Sequence, residues 1–158
     1  MQALDTLKAA DWLLLLRPDL PKSTLQDVLF MAYGSWLARH PEQPLLDEKP
    51  WRGQVGPYFR SVHFQHLAVG VEPDAGWRPA DVPEGVQRHL WRVLKIVASL
   101  PPGKVRAYRR GLAYTRARRA GEDVIADEDV RYQFVFGNAA AFVRTLGNEP
   151  ARGSDAPQ

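Results

Sequence analysis

The chain has 158 residues, long enough for one domain with a real core and short for two. It contains no cysteine, which excludes disulfide frameworks, thiolate zinc sites and cysteine nucleophiles and points to the cytosol as compartment. With 21 basic against 18 acidic side chains the formal net charge is +3, so global steering toward nucleic acid is weak and only a local cluster of cations could matter. The longest apolar run, Trp12 to Leu16, is far short of the ~20 residues of a membrane span. Asp5 and Asp11 beside that run argue against a signal peptide.

A first helix is expected from about Asp5 to Leu16, with Asp5 as cap and Pro18 and Pro21 as stops. The second is the clearest local signal. Ser23 and Gln26 read as a capping box ahead of Leu25, Val28, Leu29, Ala32 and Trp36, with Phe30, Tyr33 and Leu37 widening the stripe. A helix apolar nearly all round belongs at the centre of a bundle. From Pro41 to Pro57, four prolines and two glycines break the period, so this stretch reads as a loop with room for a small hairpin. From Pro57 the pattern fits either a helix carrying Val62, His66 and Val69 or a strand from Tyr58 to Phe64.

Residues 70–83 form a loop, after which Asp81 is the expected cap of a helix with Val86, Leu90, Val93, Leu94 and Val97. Pro101 and Pro102 end it. A further helix is expected from Lys104 to Ala120, with Gly121 beyond its end, and a last one from Asp127, interrupted or bent at Gly137 and Asn138. These add up to a mostly α, single compact domain of five or six helices over residues 1–148, with residues 149–158 expected to be disordered.

Chemistry-bearing residues are sparse. His63 and His66 share a helical face, but a transition metal needs a third ligand and neither His40 nor His89 is near in sequence. Glu122, Asp123, Asp127, Glu128 and Asp129 suit helix capping better than magnesium, since no phosphate-binding glycine loop accompanies them. No serine lies in a nucleophile elbow or beside an evident base, so neither catalysis nor a cofactor is expected. The segment 104–119 carries Lys104, Arg106, Arg109, Arg110, Arg116, Arg118 and Arg119 without an acid. It could meet phosphates, with Tyr108 and Tyr114 stacking on bases, or pair with the acids that follow or with an acidic protein. Of the five tryptophans, Trp12, Trp36 and Trp91 fall in helices and read as core, while Trp51 and Trp77 fall in loops, where an indole either plugs the core edge or anchors a partner.

The order of motifs resembles the Panacea domain, the SocA-like family of antitoxins and phage-associated proteins. The features similar to it are the Leu25–Gln26 pair opening a helix, Phe30, Tyr33, Trp36 and the Pro44–Leu45 loop. Trp51 ahead of Gly56–Pro57 follows, and then Arg116, Ile125, Asp127 and Phe134, so that the likeness spans about residues 5–136. Asp27 stands where that family usually carries a lysine, and PPGKVRAYRRGLAY replaces a threonine–histidine segment. The resemblance implies a helical, non-enzymatic, cytoplasmic domain that neutralises a toxin or effector by binding it, with a protease as a further partner where the domain acts as an adaptor. On that reading Leu25, Gln26, Trp36, Gly56 and Pro57 are mainly structural. The expected partner contacts are Trp51, Trp77, Arg109, Arg110 and Arg116. A small nucleic-acid-binding regulator using 104–119 is the alternative.

Overall fold

A computed structural model describes residues 2–67 and 81–148, with the side chains of His66 and Leu67 left aside. Helix α1 (Thr6–Leu16) starts as expected, because Asp5 accepts hydrogen bonds from the Leu7 and Lys8 amides. Helix α2 (Lys22–Arg39) does not start on a capping box: Pro21 is its N-cap and no side chain caps it. Gln26 is engaged elsewhere, as described below. Leu25, Val28, Leu29, Phe30, Met31, Ala32, Tyr33 and Leu37 are all buried, so α2 is the axis of the domain. It packs most extensively on α4 (Glu84–Ser99) and α7 (Asp127–Val135).

The proline-rich connection becomes a two-stranded antiparallel hairpin, β1 (Trp51–Arg52) and β2 (Pro57–Tyr58), with Trp51 opposite Tyr58. Of the two readings of the next stretch the helical one holds, since helix α3 (Arg60–Leu67) follows directly on β2 and of the alternative strand from Tyr58 to Phe64 only Tyr58 is extended in a strand. Glu48 caps α3, accepting from the Ser61 amide and hydroxyl. Helix α4 starts after Pro83 rather than on Asp81, because proline pre-sets the helical φ at the boundary; no side chain caps it.

Eight helices occur among the described residues, because two long periodic stretches are each cut in two. The segment 104–120 divides at Gly111 into α5 (Pro102–Arg109) and α6 (Leu112–Ala120), and the last stretch divides into α7 and α8 (Ala140–Asn148). At the first cut the fully buried Gln133 replaces the lost helical bonds, accepting from the Ala113 amide and donating to the Tyr108 carbonyl. A side chain on Gly111 would collide with that amide. Gly121 closes α6 in the left-handed conformation at φ 69°, as the sequence implied. Asp127 is the first residue of α7 rather than its cap; its carboxylate accepts from the Tyr33 hydroxyl and faces Lys49 at 3.7 Å.

Trp12 is core, but Trp36 and Trp91 are only half-buried, a correction to both. Their rings lie at the rim of the bundle, where Trp36 donates to the Gln43 carbonyl and Lys95 lies over Trp91. No helix among the described residues is long and apolar enough to cross a membrane. Residues 68–80, which include Trp77 and most of the stretch expected as a loop, and residues 149–158, expected to be disordered, lie outside the described residues.

Candidate functional site

Gln26, on the first turns of α2, makes a two-way clasp with the backbone of Phe59. Its Oε1 accepts from the Phe59 amide at 2.8 Å and its Nε2 donates to the Phe59 carbonyl at 3.2 Å. An amide is the one side chain that can both donate and accept in this way. The clasp fixes the hairpin and the start of α3 against α2. From the other side, Tyr114 donates to the Gly53 carbonyl at 2.7 Å, with the Gln54 carbonyl at 3.1 Å. Arg52 donates from Nε to the Glu122 carbonyl, and the Arg52 and Ile125 amides bond to the Asp123 and Pro50 carbonyls. The hairpin is therefore held at both ends.

Between this hairpin, the start of α2 and the end of α5 lies an open cleft of about 530 Å³, within the size range of ligand sites. Its wall includes Gln26, Asp27, Gly56, Pro57 and Arg109, with Lys22, Arg52, Tyr58 and His63 around it. Arg109 Nε stands 2.8 Å from Asp27 Oδ1. The distance is that of an ion pair, but the N–H lacks the direction of a proper hydrogen bond, so the attraction is mainly charge–charge. Gly56 is required here by close approach: a Cβ would lie 2.9 Å from Arg109 Cδ.

Asp27 is 7% exposed, and burial raises its pKa above the usual carboxylate value against the opposing pull of Arg109. The cleft thus offers a guanidinium paired with a buried carboxylate, and an exposed histidine. His63 is stacked edge-on against Tyr58 at 5.5 Å. No group of three or more metal-ligating side chains occurs among the described residues.

Four residues singled out from the sequence meet at this cleft: Gln26, Gly56, Pro57 and Arg109. The others are dispersed. Leu25 is fully buried core. Trp51 is half-buried on the hairpin, with the Arg60 guanidinium 4.3 Å from its ring. Arg116 pairs with Asp129 at 2.8 Å and lies over Tyr132. Arg110 lines a separate groove of about 440 Å³ with Arg118 and Arg119. Tyr108 and Tyr114 are buried, which corrects their reading as open stacking rings, although part of Tyr114 lines the Arg110 groove. Asp27 was missed as a site residue. A charge on an otherwise apolar face of a central helix was the available signal, because such a charge needs a partner.

Ser35 also departs from expectation, since His89 Nε2 lies 3.2 Å from its hydroxyl. The pair is not a nucleophile and base. His89 Nε2 also lies 3.0 Å from the Ala32 carbonyl, which can only accept, so that nitrogen carries the proton, while Ser35 donates to the Met31 carbonyl at 2.6 Å. Burial pushes the His89 pKa down to about 4, against the Ala32 bond and with help from Arg39, His40 and Arg92. The native state therefore refuses a proton that the unfolded chain accepts below pH 6.5. The stabilisation is complete above that pH and is lost as pH falls toward 4. Between pH 7.5 and 5 the His89 share of the loss is about 2 kcal/mol. Urea unfolding at the two pH values, with His89→Gln as reference, measures it; equal slopes in the two proteins would refute it.

No family model matches the chain, and no curated protein or solved structure is detectably similar to it.

Proposed function

We propose that this protein is a non-enzymatic, antitoxin-like module of the Panacea type, which neutralises a toxin or effector by occupying it. The observation that carries the reading is the convergence of Gln26, Gly56, Pro57 and Arg109 on one cleft. Three of the motif residues, Gln26, Gly56 and Pro57, serve this single local arrangement, and Arg109, from the segment where the chain departs from the family pattern, completes it. An open cleft beside the exposed hairpin tip Val55 and the half-buried Trp51 offers the aromatic and arginine side chains that dominate interface energetics.

Co-expression with the product of the adjacent reading frame is the test. A stable complex and relief of growth arrest are expected. Trp51→Ala and Arg109→Ala should each weaken the complex by about thirtyfold, the scale of an interface hot spot, with the circular dichroism unchanged. Neither complex nor rescue would end the reading.

A second reading, nucleic-acid binding, has one observation in its favour: Arg110, Arg118 and Arg119 share a groove. Against it, Arg109 and Arg116 are committed to Asp27 and Asp129. Retention of duplex DNA at ~50 mM salt, falling steeply as salt rises, would favour it instead.

A further inference from the structure

At the other end of α2 from the cleft lies a second pocket, of about 310 Å³, which the proposed function does not use. Arg39 and His40 reach it from the end of α2, and Arg88 and Arg92 from one face of α4, a helical turn apart. Buried His89 and the Trp36 indole form its wall, with Trp36 stacked on His40 at 4.4 Å and edge-on to His89 at 5.1 Å. Among the described residues no acidic side chain lines it. Arg39 and Arg88 bring two guanidiniums to one small pocket, with His40 and Arg92 also lining it, and such a cationic rim attracts a multiply charged anion.

Guanidinium forks match the oxygens of a phosphate two at a time. Arg39 uses one nitrogen on the Val143 carbonyl at 3.3 Å and keeps further donors. The pocket is at the small end of the ligand range, enough for a phosphate and a compact substituent. We propose that it binds the phosphate group of a small phosphate monoester or of free phosphate, with Trp36 as the wall beside the substituent.

Isothermal titration of the full chain at fixed ionic strength, with inorganic phosphate and separately with a nucleoside 5′-monophosphate, tests this. Dissociation constants below ~1 mM are expected for at least one of them. Tighter binding of the nucleotide assigns the substituent to Trp36, and equal binding assigns free phosphate. Arg88 is exposed, so Arg88→Ala and Arg88→Gln should fold normally and bind about tenfold more weakly. Arg118→Ala/Arg119→Ala, which removes equal or greater charge from another groove, should bind as wild type. Absence of binding by both probes, an equal loss in the control, or binding of duplex DNA alone would overturn the proposal.

Discussion

Phe134→Ala is expected to lower the unfolding free energy by about 3–5 kcal/mol, the cost of emptying a buried aromatic site. Phe134 is fully buried, edge-on to Phe30 at 5.7 Å, and its ring lies directly on the Cα of Gly34. Alanine at Gly34 would gain up to ~1 kcal/mol of helix propensity anywhere else on α2. Here its Cβ would fall inside the Phe134 ring, and overpacking of that kind costs about 1–3 kcal/mol or more. Gly34→Ala should therefore destabilise wild type yet stabilise the Phe134→Ala protein, where the space is vacated. Chemical denaturation of the four proteins of this cycle reads the coupling. Additive effects would show that α2 and α7 do not meet at this point.

Gln133→Leu should cost about 1–4 kcal/mol although leucine is apolar and similar in size. The substitution leaves the Ala113 amide buried without a partner, at about 1–3 kcal/mol, and the Tyr108 carbonyl with only the 3.2 Å bond from the Gly111 amide. Gln133→Glu keeps an acceptor for Ala113 and loses the donor to Tyr108, so it should also destabilise. Because Gln133 joins α7 to the break between α5 and α6, amide exchange at Ala113 should accelerate in both variants. A Gln133→Leu protein as stable as wild type would mean that the break is held by other contacts. The consequence reaches the cleft: Arg109 is the last residue of α5, one position from the C-cap at Arg110, so loosening this junction also loosens the Arg109–Asp27 pair.

The helical class, the centrality of α2, the Asp5 cap, the glycine stop at Gly121 and the hairpin-sized loop between Pro41 and Pro57 are all legible along the chain. These are local matters of periodicity and of backbone preferences set by neighbours in the chain, and a linear reading sees them. Where the polar side chains make their hydrogen bonds emerges only from the packing of distant elements. Gln26 has the spacing of a capping box, yet it clasps Phe59, because a buried backbone amide and carbonyl lying 33 residues away need both halves of its amide. Gln133 looks like any surface glutamine and instead splices two helices, since the break at Gly111 leaves the Ala113 amide without a helical acceptor and Gln133 on α7 supplies one while donating to the Tyr108 carbonyl. Asp27, a charge on the apolar face of α2, signals that it needs a partner, but nothing in the sequence points to Arg109, 82 positions away. Buried polar groups must find partners wherever the fold brings them, and that pairing is long-range by nature.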